Sequence, residues 1–218
     1  MIKTAVIGAS GFIGSHLLAN YRSQYPDCVG TSFSKNVNNL LKFDIKNPKI
    51  EPLNLEKTEH KAVIITSYKA NISYCENEQD KAYEVNVNGI LKLIKNLSQT
   101  SLKVIFLSSE YVFDGVKGKF SDDHPSSPNT VYGKHKKIVE DEIKNLTDNF
   151  LVLRLSKIYG LKRGDRTILD EVANLLSQKK EVLAADDQYF NPTFIDDLIQ
   201  TIMKIQEKDL KGYINVSS

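Results

Sequence analysis

A chain of 218 residues with 41% apolar and 26% charged residues has a globular composition and the length for one sizeable core, with little room for two full domains. A formal net charge of +2 and the lack of any long basic run argue against nucleic acid or an anionic membrane as partner, and the short "KHKK" reads as a solvated helix face. No apolar stretch reaches the roughly 20 residues of a membrane span, and the strand-like "KTAVIGA" at the start is unlike a targeting segment, so a cytoplasmic protein is expected.

Taken in chain order, short β-branched runs alternate with longer segments of helical period, the pattern of βαβ units around a parallel sheet. Strands are predicted at 4–8, 28–33, 62–66, 103–108 and 150–155, with a weaker one at 40–45. Helices are predicted at 12–24, 77–99, 131–146, 166–178 and 195–206, and Pro125 and Pro128 make 118–129 a loop. Cys28 and Cys75 form no C-x-x-C pattern and are read as reduced, structural thiols. His16, His60, His124 and His135 have no metal-ligand spacing, so no metal is expected.

The stretch "VIGASGFIG" places Gly8, Gly11 and Gly14 between the first strand and the first helix. Glycines there permit a tight turn and close backbone approach, so that the helix N-terminus can hold a pyrophosphate through its free N–H groups. Gly8, Ser10, Gly11, Phe12, Ile13 and Gly14 are therefore candidate cofactor-binding residues. At the end of the second strand, Ser34 and Lys35 stand where a carboxylate would select NAD, so NADP (NADPH) is favoured and NAD is the alternative. Ser108, Ser109 and Glu110 end a predicted central strand, at the edge where ligands bind in open parallel sheets. Tyr132 and Lys136 lie four apart on one face of the following helix. With ten tyrosines, about one Tyr-x-x-x-Lys pair is expected by accident, so it is the surroundings that give the pair meaning. An ammonium beside a phenol is expected to lower its pKa.

Together "GASGFIG", "LSSEYVFDG", "YGKHK" and "RLSKIYG", with "CENEQDKAYEVNVNG" and "DQYFNPTFIDDLI", resemble the extended short-chain dehydrogenase/reductase superfamily, and within it the dTDP-4-dehydrorhamnose reductase group of sugar-nucleotide enzymes. The resemblance implies an α/β, Rossmann-like doubly wound parallel sheet. Residues 1–160 would form the NADP-binding domain with the catalytic helix, and 161–218 a partial, shortened substrate lobe, of which about 187–217 packs back on the first domain. It implies Tyr132 as proton donor, Lys136 as its support and as a ligand of the nicotinamide ribose, and Ser109 as a hydrogen-bond partner of the substrate carbonyl. Asp44, Thr66, Ser67, Tyr68, Asn86 and Ser108 would line the cofactor, and Glu110, Val112, Phe113 and Arg166 the substrate. Arg154 is read as structural, and Lys162 and Arg163 as an exposed basic loop.

The activity implied is reduction of a nucleotide-linked 4-keto-6-deoxy sugar by NADPH, in deoxysugar or surface polysaccharide biosynthesis. A nucleotide sugar is the expected partner, and a homo-oligomer is left open. An NAD-dependent sugar-nucleotide epimerase uses the same Ser/Tyr/Lys set and stays open, as does a non-catalytic cofactor-binding regulatory subunit. His135 and Val139 depart from the family's usual residues on the active-site helix, and family members continue well beyond "GYINVSS".

Overall fold

The computed structural model describes residues 1–33, 37–187 and 189–217. In chain order it begins with β1 (Thr4–Ile7), α1 (Phe12–Gln24), β2 (Thr31–Ser32), β3 (Leu41–Lys42) and β4 (Ala62–Ile65). There follow α2 (Ile72–Asn77), α3 (Gln79–Tyr83), α4 (Ile90–Leu97), β5 (Lys103–Ser109), α5 (Val131–Leu146) and β6 (Phe150–Leu155). The last third holds β7 (Ile158–Tyr159), α6 (Ile168–Ser177), β8 (Thr193–Phe194), α7 (Ile195–Glu207) and β9 (Gly212–Val216).

Five strands form one parallel sheet in the order β1-β4-β5-β6-β9, with Val6 opposite Ile64 and Ile64 opposite Ile105. The short β2–β3 pair lies beside β1 through a single parallel bridge between Val6 and Gly30. Side chains on successive strand residues point to opposite faces, so these apolar runs feed two cores. On one face Val6, Ile64 and Ile105 pack with Leu17 and Tyr21 of α1 and with Leu198 and Ile202 of α7. On the other, Ala5, Val63 and Val104 pack with Leu93 and Leu97 of α4 and with Val139 and Ile143 of α5. Each such Leu or Ile taken fully out of water contributes roughly 2 kcal/mol. The expected doubly wound parallel sheet is the one the chain forms, and the carboxyl ends of β1, β4 and β5 converge on Gly8, Thr66 and Ser109.

Several elements differ from their sequence-based bounds for identifiable reasons. The strand expected at 28–33 shrinks to Thr31–Ser32. Two of its N–H groups are used elsewhere: Cys28 donates to the Tyr25 carbonyl at 2.9 Å and Val29 to Nε2 of His60 at 3.1 Å. The strand expected at 40–45 shrinks to Leu41–Lys42, because Asp44 folds the chain into a turn by accepting the Lys46 N–H at 3.0 Å. The helix expected at 77–99 starts earlier, at Ile72, where Asn71 caps it by accepting the Tyr74 N–H at 2.7 Å. It then runs through a π-helical turn at Glu84–Gly89. Among the described residues no helix is long and apolar enough to cross a membrane, and no group of three or more His, Cys, Asp and Glu side chains could hold a metal ion.

Candidate active site

The turn after β1 depends on two glycines. Gly8 has φ +94°, and a Cβ there would lie 2.7 Å from the Ser67 nitrogen. A Cβ on Gly14 would fall 2.5 Å from the Gly8 carbonyl oxygen and 2.7 Å from Oγ1 of Thr66, so the first turn of α1 sits directly on the strand ends. Thr66 donates its hydroxyl to the Ile7 and Gly8 carbonyls at 2.9 and 3.1 Å, which ties β4 to this turn. Gly11 is the N-cap of α1 and offers no side chain to the first-turn N–H groups, and no carboxylate occupies that turn. Such a donor set suits a pyrophosphate. Ser10 accepts the Ser32 hydroxyl at 3.0 Å, Ile13 packs on the core, and Phe12 lies edge-on to His16. Ser34 and Lys35 lie outside the described residues.

Three consecutive residues at the end of β5 meet one face of α5. The Leu107 carbonyl accepts from Nζ of Lys136 at 2.6 Å, Ser108 donates to Oε1 of Glu140, and Ser109, whose hydroxyl accepts the Tyr111 N–H at 3.3 Å, lies beside Tyr132 and acts on its phenol. α5 starts where it does because Thr130 accepts the Gly133 N–H at 3.0 Å and Glu76 accepts the Val131 N–H at 2.8 Å. Gly133 lets that start pass close to the turn after β5, since a Cβ would lie 2.1 Å from the Tyr111 carbonyl oxygen.

The phenol of Tyr132 is pushed well above the usual tyrosine range by desolvation, partly offset by the neighbouring Ser109. Burial pulls Lys136 down to about 7, against the pull of Glu140, which favours the ammonium. The expected lowering of the Tyr132 pKa by its neighbour is therefore corrected: desolvation is the largest influence on the phenol, and Lys136 is not among the groups that lower it. The Lys136 nitrogen lies closer to Tyr68 than to Tyr132: it is 3.4 Å from the Tyr68 ring centroid and 5.8 Å from that of Tyr132. The Tyr68 hydroxyl is buried and has no hydrogen-bond partner, and its ring meets Tyr132 edge-on at 5.5 Å.

Asn86, wholly buried in the π-helical turn, accepts the Lys69 N–H at 2.8 Å and donates to the Lys69 carbonyl at 3.1 Å, fixing the loop that carries Ser67 and Tyr68. Ser108, expected on the cofactor, is 4% exposed and has its hydroxyl on Glu140. Asp44 is half-buried beyond β3 with its carboxylate on the Lys46 N–H. On the substrate side Glu110 is half-buried and its carboxyl is raised by desolvation. Val112 is fully buried, so its side chain forms wall and not mouth, and Phe113 stacks on Phe120 at 4.4 Å. Arg166 sits in a loop held by Asp170, which accepts the Gly164 and Arg166 N–H groups at 2.8 and 3.0 Å. Sequence reasoning passed over Tyr111, edge-on to Tyr132 at 5.7 Å, although it lies inside the "LSSEYVFDG" motif. Cys75, read as a structural thiol and the first residue of "CENEQDKAYEVNVNG", donates its thiol to the Lys69 carbonyl at 3.2 Å.

A parallel sheet with a glycine turn at one strand end, and a Ser, Tyr and Lys gathered at the ends of the next strands, defines a Rossmann-type chain of the extended short-chain dehydrogenase/reductase kind. Within that kind the chain belongs to the RmlD substrate binding domain family, whose model matches residues 2–215. It is 30% identical over 145 residues to the spore coat polysaccharide biosynthesis protein SpsK of Bacillus subtilis (strain 168), covering 66% of this chain and 50% of that protein. It is 26% identical over 216 residues to a dTDP-4-dehydrorhamnose reductase of Aggregatibacter actinomycetemcomitans, covering 97% of this chain and 70% of that one. The fold matches the crystal structure of a dTDP-4-dehydrorhamnose reductase from Bacillus anthracis str. Ames in complex with NADP, with a TM-score of 0.83 at 24% identity, over 100% of this chain and 75% of that chain. The chain spans about half the length of several curated relatives that it matches.

Proposed function

We propose that the chain forms the cofactor-binding and catalytic part of an NADPH-dependent reductase of a nucleotide-linked 4-keto-6-deoxy sugar, serving deoxysugar or surface polysaccharide synthesis. The observation that carries this reading is the half-buried Tyr132 phenol, kept protonated by its surroundings and standing beside Ser109 at the carboxyl end of the sheet. A reduction of a ketone needs a proton donor at the carbonyl oxygen, and a neutral phenol is one. The first-turn N–H groups of α1 would hold the pyrophosphate of NADPH, with Gly8 and Gly14 giving it close approach. Bound there, the cofactor would supply the hydride.

In this reading Ser109 orients the carbonyl oxygen and Tyr132 holds the proton for it. Lys136, fixed by the Leu107 carbonyl and the Tyr68 ring, contributes an ammonium within reach of the ribose. Tyr68, Tyr111 and Tyr132 pack edge to face and keep water from the phenol. Glu110, Arg166 and the loop around them face the sugar nucleotide, NADP is the favoured cofactor, and the protein acts in the cytoplasm.

The test is loss of NADPH absorbance with a panel of nucleotide 4-keto-6-deoxy sugars, run beside Tyr132→Phe. Turnover that drops by about 10³-fold in the variant, with NADPH binding retained, is the expected result. Equal turnover in both proteins, or NADPH binding with no turnover of any ketone, would overturn it.

A further inference from the structure

Glu140 lies two turns beyond Tyr132 and one beyond Lys136 on the same face of α5, and it is 2% exposed. Arg154 on β6 holds it with a fork: Nε and Nη2 donate to Oε2 at 3.0 and 2.8 Å. The same guanidinium reaches the loop before α5, donating to the Asp122 carbonyl at 3.0 Å and to the Ser126 hydroxyl at 3.4 Å. Its carbon lies 5.1 and 5.2 Å from the Phe113 and Tyr213 ring centroids, and Tyr213 donates its hydroxyl to the Glu140 carbonyl at 2.7 Å. Ser108 completes the set through Oε1.

A buried ion pair is weak evidence of stabilisation, because desolvation cancels much of the attraction, and apolar side chains of the same volume pack as well. What an apolar pair lacks is a charge. Lys136 is surrounded by Tyr132 on its own helix, Tyr68 from the loop after β4, Cys75 on α2, and the Phe106 ring and Leu107 carbonyl of β5. Burial raises both phenols and the thiol, so none of them carries charge at neutral pH. Glu140 supplies the carboxylate that favours the Lys136 ammonium.

We propose that Glu140, fixed by Arg154 and Ser108, is a positioning residue for the Tyr132–Lys136 site: it locks that face of α5 onto the end of β5 and holds its carboxylate one helical turn behind Lys136. This rests on the reading of Tyr132 and Lys136 as the catalytic pair. Arg154 extends the same lock to the 118–129 loop, so the catalytic helix and the loop beside it move as one body.

The experiment follows Lys136 directly, by NMR titration of lysine labelled with ¹³C at Cε in the cofactor-free protein, with Lys136→Met to assign the signal. The expected midpoint is about 7 in the wild type. Glu140→Gln keeps the volume and an acceptor for Ser108, and it should lower that midpoint by about one pH unit. If Glu140→Gln alone fails to fold, Glu140→Gln with Arg154→Gln removes both charges together, and the midpoint should still fall but by less, because the loss of the guanidinium offsets part of the loss of the carboxylate. An unchanged midpoint in either folded variant overturns the proposal. Because no cofactor or sugar is needed, the titration is read independently of turnover, whose absence in the wild type would sink the reductase reading alone.

Discussion

Tyr132 and Lys136 meet the same physics with opposite signs: burial removes charge from both, raising the phenol and lowering the ammonium. For Lys136 this becomes a dependence of stability on pH. Its pKa is about 7 in the folded chain against 10.5 as the ordinary value, so between these limits the unfolded chain binds a proton that the folded one lacks. Stability contributed by this residue therefore rises with pH from about 7 to about 10, and the penalty is at its full size below 7. Lys136→Met should stabilise the cofactor-free protein by about 4–5 kcal/mol at pH 6.5, and the gain should shrink towards zero near pH 10. Urea unfolding of both proteins at the two pH values measures it, and an equal gain at both would contradict the account. The Tyr132–Lys136 spacing was legible in the sequence, whereas the protonation state of the pair was not. Tyr68, which covers Lys136, lies 68 positions earlier in the chain, and no local pattern announces that it will fold over the lysine.

At the scale of elements, the glycine turn and α5 do the positioning. Gly14→Ala would push a methyl group into the Gly8 carbonyl, with both partners being backbone or strand-end atoms that cannot yield. A destabilisation of about 2 kcal/mol and a loss of NADPH affinity are expected together, by thermal unfolding and fluorescence titration respectively. Thr130→Ala removes the side-chain cap of α5 and should cost about 1 kcal/mol, with little effect on NADPH affinity. A large loss of affinity in Thr130→Ala would mean that α5 is set by its N-terminus and not by its contacts with β5. α1 and α5 were read from the sequence with the bounds they have, α1 because it opens directly after the glycine turn and α5 because its Thr130 cap and apolar period agree. The 72–97 region was misjudged at its start because Asn71, an ordinary polar residue in sequence, becomes a cap only where the chain leaves β4. The two-residue β7 and β8 carry too short a run for any periodicity to show.

For the whole molecule, the last third divides into two kinds of surface. α7 and β9 join the sheet and its core, while α6 and the segment after it leave apolar side chains in water. Leu176 is 61% exposed, Leu183 95% and Tyr189 96%. Exposed apolar side chains of this size promote association. Leu176→Lys combined with Leu183→Ser should leave the unfolding temperature unchanged and reduce concentration-dependent association, read by light scattering of the two proteins over a range of concentrations. Association unchanged by the double substitution would place its cause elsewhere on the surface.

By itself the sequence determined the alternation of strands and helices, the phosphate-suited turn at Gly8 to Gly14, and the Tyr132–Lys136 helix. These depend on residues near one another in the chain, where period, caps and glycine conformations act locally. Tertiary structure decided the rest: that the Ser108 hydroxyl bonds Glu140, that Arg154 ties α5 to the 118–129 loop, and that the lysine sits against Tyr68. Each of these joins residues far apart in sequence, and each turns on desolvation, a property of a position in the packed molecule that no residue possesses alone.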